Sequence, residues 1–206
     1  MSLGQAFVES ATQNADALAL SDGSVRLTYG GLQARAAAVA GGLVARGLQP
    51  GDRLLTLLTN RWETATLYWA CQMSGVVFTP FNWRATAEEV AIILADSEAK
   101  LVICEHITAS AAPADSINID DDFSELSASE PLATPVEVAA EDPCLMLYTS
   151  GTTGGPKGVP RSHAAELAAG RNAITQLGYR RGEIQLGVMP LFHTMGVRQL
   201  LTCELL

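Results

Sequence analysis

Basic residues are scarce in this chain. Thirteen Lys and Arg stand against 22 Asp and Glu in 206 residues, a formal net charge of −9, which argues against nucleic acid or an anionic membrane surface as a partner, since both demand clustered positive charge. No apolar run is long enough for a membrane span. The N-terminus, Met1-Ser2-Leu3-Gly4-Gln5, has neither the basic start nor the apolar core of a secretory signal. Cys71, Cys104, Cys144 and Cys203 stand far apart with no C-x-x-C pair, which suggests neither a zinc knuckle nor a disulfide framework. A reduced, cytoplasmic setting is the expectation. No internal repeat is present. Apolar residues make up 48% of the chain and charged ones 17%, a composition too apolar for intrinsic disorder and enough to bury a substantial core.

The missing bases are concentrated in one gap: no Lys or Arg occurs between Lys100 and Lys157. Nine of the ten acids in that gap (Asp115, Asp120, Asp121, Asp122, Glu125, Glu130, Glu137, Glu141 and Asp142) fall at residues 115–142, and without these nine 13 acids face 13 bases. The same stretch holds Pro113, Pro131, Pro135 and Pro143 among many Ala and Ser, so residues 106–142 read as an acidic, weakly structured surface linker. The Asp-x-Asp-x-Asp-Gly pattern of a calcium loop is absent, and no metal site is expected.

Ahead of this linker, residues 1–105 alternate strand and helix signals. Ala17 to Leu20 and Val25 to Thr28 flank Ser21-Asp22-Gly23-Ser24, a β-hairpin pattern. Thr28 is placed to cap a helix with apolar positions Leu32, Ala36, Val39, Ala40 and Leu43, ending at Gly47. Arg53 to Leu58 reads as a strand covered on both faces. Asn60 with Glu63 has capping-box spacing for a helix stopping near Gly75, and Thr86 with Glu89 repeats that spacing. Val76 to Thr79 and Lys100 to Cys104 read as further strands. The β-α-β-α-β order implies a mostly parallel sheet with flanking helices, an α/β fold. Residues 143–206 add a strand at Cys144 to Tyr148, a helix from His163 to Leu177 stopped by Gly178, a strand at Glu183 to Val188, and a helix beginning near His193. Leu200, Leu201, Leu205 and Leu206 of that last helix form an apolar stripe expected to be exposed.

Tyr148-Thr149-Ser150-Gly151-Thr152-Thr153-Gly154-Gly155-Pro156-Lys157-Gly158 has the composition of a polyphosphate cradle. Four glycines let backbone N–H groups turn toward an anion, Ser150, Thr152 and Thr153 supply hydroxyl donors, and Lys157 supplies positive charge. It is not a Walker A loop, because Pro156 precedes the lysine and Gly158 follows it. Val159-Pro160 also favours extended chain where that motif begins a helix.

This stretch resembles the signature loop of the adenylate-forming superfamily, which includes acyl- and aryl-CoA synthetases, firefly luciferase and nonribosomal peptide adenylation domains. Leu27-Thr28-Tyr29, Gly47-Leu48-x-Pro50-Gly51-Asp52-Arg53, Asn60, Gly75, Pro80 and Asn82 are similar to its N-terminal landmarks, and Met189-Pro190-Leu191-Phe192-His193-Thr194 to its next core motif. The resemblance implies that the chain is the first part of a large N-terminal AMP-binding domain. The later motifs and the C-terminal domain are absent from the 206 residues.

The implied reaction has two steps. A small carboxylic acid attacks the α-phosphorus of ATP, with Mg²⁺ as the metal partner, to give an acyl-adenylate and pyrophosphate; coenzyme A then displaces AMP. The resemblance assigns Thr149, Ser150, Gly151, Thr152, Thr153, Gly154, Gly155, Pro156 and Lys157 to the ATP phosphates, with Lys157 stabilising the departing pyrophosphate. It puts His193 at the mouth of the acyl pocket, against the alternative of a structural histidine. Arg198 either reaches that pocket or faces solvent. Phe192-His193-Thr194-Met195-Gly196 looks more like the aryl, alicyclic or fatty acid CoA ligases than the amino-acid activators. A peptide-synthetase adenylation fragment and a non-catalytic truncated chain that pairs with a partner or with its own copy remain alternatives. By itself the chain is expected to show no ligase turnover.

Overall fold

A computed structural model describes residues 1–149 and 155–203. The chain opens with α1 (Leu3–Gln13), which the sequence reading passed over although Ser2 and Gln5 form a complete capping box at its start. The strands β1 (Leu18–Asp22) and β2 (Val25–Thr28) form the expected antiparallel hairpin around Gly23. Thr28 then caps α2 (Tyr29–Ala45), its hydroxyl accepting from the Gly31 N–H, and the five apolar positions picked from the helical period are all buried. There follow β3 (Arg53–Leu57), α3 (Trp62–Ser74), β4 (Val77–Pro80), α4 (Ala87–Ser97) and β5 (Leu101–Cys104). Gly75 ends α3 in the left-handed region at φ 74°, where a side chain would be strained. The Thr86–Glu89 capping box of α4 forms in full.

The main sheet has six strands in the order β6-β5-β3-β4-β7-β8, with β6 (Ile117–Asn118), β7 (Pro143–Thr149) and β8 (Lys157–Ser162). Every neighbouring pair is parallel except β7 with β8. Helices cover both faces because β3 alternates: Leu54 joins the core under α1, α2 and α3, whereas Leu55 and Leu57 join Val90 and Ile93 of α4 on the other side. The helix α3 is the centre of the larger core, with every residue from Glu63 to Ser74 buried. Phe7 of α1 stacks on its Trp69 with ring centroids 4.2 Å apart, and Gly4 crosses it so closely that a Cβ would lie 2.3 Å from the Gln72 carbonyl oxygen. The last elements are α6 (His163–Leu177), stopped by Gly178 at φ 69° as expected, and α7 (Thr194–Val197), which runs into a π-helical turn over Arg198–Thr202.

Four expectations are corrected. Residues 106–142 are not a weakly structured linker, since they contain β6 and α5 (Ile119–Leu126). The run of acids favours this helix: Asn118 caps it and Asp120, Asp121 and Asp122 occupy its first turn, where carboxylates meet the positive end of the helix dipole. Ile119 and Leu126 are buried, and the chain beyond is tied down by backbone bonds from Leu132 to Ala37 and from Val136 to Met73. Secondly, Asn60 does not cap α3; the cap position is Arg61, without a side-chain bond, and Asp22 accepts from the Trp62 N–H instead. Thirdly, residues 183–188 pair with no strand among the described residues, because an extended segment without a neighbouring edge has no ladder to join. Fourthly, Leu201 is buried and Leu200 packs against the core, so neither belongs to an exposed stripe; Leu205 and Leu206 lie outside the described residues.

Candidate functional site

In an open parallel sheet, all carboxyl ends of the parallel strands open onto one edge, and this is where ligands of α/β proteins collect. Here that edge gathers Thr59 to Arg61 after β3, Phe81 to Arg84 after β4, Glu105 and His106 after β5, and the Gly/Thr loop after β7. Thr149 ends β7 and Lys157 begins β8, which pair antiparallel. Thr149 and Lys157 are register partners, as are Tyr148 and Gly158, so the two ends of the motif are fastened side by side. Lys157 is exposed and makes no ion pair with another described residue; Gly155 is exposed at φ 113° and Pro156 is half-buried. Ser150, Gly151, Thr152, Thr153 and Gly154 lie outside the described residues. The chain continues from Lys157 as strand, not helix, in keeping with the distinction from a Walker A loop.

The base of this hairpin is anchored by groups that the sequence reading missed. The Tyr148 hydroxyl donates to Asp96 of α4 at 2.7 Å, and its ring meets Phe81 edge-on at 5.9 Å. Burial, together with the adjacent Asp96 carboxylate, pushes the Tyr148 phenol well above its ordinary range, so it stays a donor. Opposite it, Gly158 is in a tight corner, where a Cβ would lie 3.3 Å from both Asp96 and the Tyr148 ring. Nothing in a local pattern links Asp96 to Tyr148, because they are 52 residues apart.

His193 and Arg198 belong to the second group. His193 is exposed at the N-cap of α7, makes no side-chain capping bond, and rests its ring against Phe192 with centroids 4.5 Å apart. Arg198 begins the π-helical turn; its Nε is buried with no hydrogen-bond partner among the described residues. Among the described residues no hydrogen bond or ring contact joins His193 or Arg198 to Lys157. What ties the segment leading to His193 to the carboxyl edge is Asn60, three residues after β3. Its amide donates to the carbonyls of Gly187 (3.3 Å) and Met189 (2.8 Å) and accepts from the Leu191 N–H (2.8 Å). The strands β3 and β7 are separated only by β4, so these two strands lie roughly 10 Å apart. Beside Asn60 runs an open groove of about 1010 Å³, lined by Asn60, Ile184, Leu186, Leu191 and Leu200 among others.

A second polar cluster occupies the far part of this edge. Arg61 forms a bidentate pair with Glu63 at 2.8 Å and reaches Glu105 at 2.9 Å and Asp120 at 2.7 Å. Glu63 and Glu105 are buried, so Arg61 supplies counter-charge and hydrogen bonds that offset the cost of taking their carboxylates out of water. A backbone N–H from His106, with Arg61 beside it, holds the Asp120 carboxyl below its usual range. No three His, Cys, Asp or Glu side chains among the described residues converge so as to hold a metal ion. No described helix is long and apolar enough to cross a membrane. All four cysteines are buried, and burial pushes the Cys71 and Cys144 thiols up, away from the reactive thiolate form.

Comparison with known proteins gives the same outline. A feruloyl-CoA synthase of an Amycolatopsis species is 35% identical over 193 residues, 93% of this chain and 39% of its own length. The long-chain-fatty-acid–CoA ligase FadD13 of Mycobacterium tuberculosis is 33% identical over 201 residues, 92% of this chain and 38% of its own. The chain therefore spans less than two fifths of the length of these relatives. Among solved structures, the N-terminal domain of FACL13 from Mycobacterium tuberculosis superposes with a TM-score of 0.89 at 28% identity, covering 98% of this chain and 54% of that one. A family model described as AMP-binding enzyme matches residues 7–206, and the chain belongs to that family, whose relatives found here are acyl- and aryl-CoA ligases matched over the N-terminal part of their sequences.

Proposed function

We propose that this chain is the N-terminal, phosphate-holding part of an ATP-dependent carboxylic acid–CoA ligase. The observation that carries the reading is the hairpin whose unbroken Thr149–Gly158 motif is pinned at both ends, Thr149 against Lys157, at the carboxyl edge of a parallel sheet. The composition of the motif, with its Gly, Ser and Thr residues and Lys157, suits a polyphosphate. In the reaction, a carboxylate oxygen attacks the α-phosphorus of ATP and the bond to the β-phosphate bridging oxygen breaks, giving acyl-adenylate and pyrophosphate. The thiolate of coenzyme A then attacks the acyl carbon and AMP leaves.

The residues of this chain act by position and charge. Thr149 to Lys157 hold the β- and γ-phosphates, and Lys157 offsets negative charge accumulating on the departing pyrophosphate. His193, exposed beside Phe192 and carried on the segment that Asn60 holds, faces the acid. Mg²⁺, bound with ATP, would add charge neutralisation at the phosphates; the described residues offer it no carboxylate set, so its ligands are not assigned within this chain. The acid is of the fatty or aromatic kind. The setting is the cytoplasm.

The test is a pyrophosphate-release assay with a panel of carboxylic acids, together with calorimetric titration of Mg-ATP. The 206 residues alone release no measurable pyrophosphate, whereas the complete ligase does so in an acid-dependent way and loses about 100-fold in kcat on Lys157→Ala. Robust turnover by the isolated chain, or an unaffected Lys157→Ala enzyme, overturns the reading.

A further inference from the structure

We infer that Asn60 is a positioning residue for the substrate end of the site: its side chain sets the path of residues 187–193 and thereby the place of His193. The inference rests on the reading of His193 as the residue that meets the carboxylate.

Asn60 precedes a helix with Glu63 three residues on, the setting in which an Asn side chain turns back to its own helix. It does not do so here. The Trp62 N–H that lacks a partner within α3 is taken by Asp22 at 3.0 Å, delivered from the β1–β2 hairpin. That leaves the Asn60 amide free to reach a segment 127 to 131 residues away. Its three contacts fall on Gly187, Met189 and Leu191, every second residue, which is the repeat of one edge of an extended chain. A carboxamide offers two N–H donors and one carbonyl acceptor; the edge presents two carbonyls and one N–H. Asp lacks the donors, and Ser has only one.

The clamp is coupled to His193 through short, stiff chain. Leu191 is buried, the His193 N–H donates to the Pro190 carbonyl at 3.0 Å, and the Val197 N–H donates to the His193 carbonyl at 3.1 Å. Gly196 packs on the same Pro190 carbonyl so closely that a Cβ would lie 2.0 Å from its oxygen. Residues 190–197 therefore move as one piece, and a shift at Leu191 carries the imidazole with it. The segment before it has no other fastening of this kind: Ile184, Leu186 and Val188 are all exposed, and their stretch joins no sheet among the described residues.

The experiment compares wild type with Asn60→Ala and Asn60→Leu; the site is exposed, so neither variant disturbs the core. In the 206-residue chain, amide hydrogen exchange at Leu191 and His193 accelerates at least tenfold in both variants, while amides of β3 and β7 keep their wild-type protection. If Asn60→Leu, which restores bulk without hydrogen bonds, also restores protection, or if exchange at Leu191 is unchanged, the clamp is overturned. In the complete ligase, Asn60→Ala raises the KM for the acid about tenfold and leaves the KM for ATP within twofold. Equal effects on both substrates, or on neither, overturn the positioning role. A wild-type ligase that forms no acyl-adenylate with any acid overturns the proposed function and the substrate half of this inference with it, while the exchange measurement judges the clamp separately.

Discussion

His163, the first residue of α6, is 1% exposed, and its Nδ1 accepts from the Leu3 N–H at 3.1 Å, one of the helix-start donors that α1 cannot satisfy internally. Burial drives its pKa down to about 4, with the N-terminal ammonium adding to the fall and Asp142 opposing it. The folded state thus refuses a proton that the unfolded chain takes up below about 6.5. Stability from the neutral imidazole is complete above that value, falls as the pH drops from about 6.5 to about 4, and is constant below. The loss is about 3 kcal/mol. Urea unfolding across this range, for wild type and His163→Asn, isolates it: the difference between the two proteins shrinks toward acid pH. Tyr148 gives a second expectation at this scale. Tyr148→Phe removes the hydrogen bond to Asp96 and costs about 1 kcal/mol, read as a lower urea midpoint, with the Phe81 contact retained.

Among the elements, the docking of α5 and the acidic chain after it depends on two adjacent glycines of α2. A Cβ on Gly42 would lie 1.6 Å from the Leu126 carbonyl oxygen, and one on Gly41 2.0 Å from that of Glu130. Both obstacles are backbone, so neither can swing aside. Gly42→Ala forces α5 off α2 at a cost of about 3 kcal/mol, and limited proteolysis then cuts within residues 119–138, where the wild-type chain resists. The other attachment is ionic. Arg61 joins the end of β3 to Glu105 after β5 and Asp120 in α5. Arg61→Met leaves Glu63 and Glu105 buried without their counter-charge and costs about 3 kcal/mol, measured by chemical denaturation at pH 7. The acidic stretch is thus a structural part of the sheet's edge, fixed by apolar side chains, close backbone contact and one arginine.

For the whole molecule, the sheet's carboxyl edge brings together the chain leaving β3, β4, β5 and β7, and the proposal that Lys157 and His193 serve one site rests on that convergence. The same arrangement leaves Ile184, Leu186 and Val188 at 88%, 85% and 71% exposure beside the open groove. A cluster of large apolar side chains in water favours association. Light scattering on the 206-residue chain is expected to show concentration-dependent self-association, relieved by replacing all three with Ser; a monomer at high concentration would contradict this.

Local patterns carried a large part of the fold. Thr28 and Thr86 mark helix starts, Gly75 and Gly178 mark stops, and the runs at Arg53, Val77 and Leu101 are strands, because each depends on partners within four or five residues or on burial of a continuous apolar run. The Thr149–Gly158 motif stands out in the sequence for the same reason, as one contiguous stretch. Other outcomes turned on groups far apart in the chain. Asn60 had two hydrogen-bonding outlets of similar worth, its own helix or residues 187–191, and the arrival of Asp22 settled which one it took. Residues 183–188 had strand composition but no edge to pair with. The acidic stretch had the cap, the apolar spacing of Ile119, Phe123 and Leu126, and the charge for a helix, yet its place on the core depended on the Gly41–Gly42 notch more than 80 residues earlier. Helix caps and apolar periodicity are short-range and follow from sequence. The choice among competing polar partners, and the fit of one backbone against another, exists only once the chain has closed on itself.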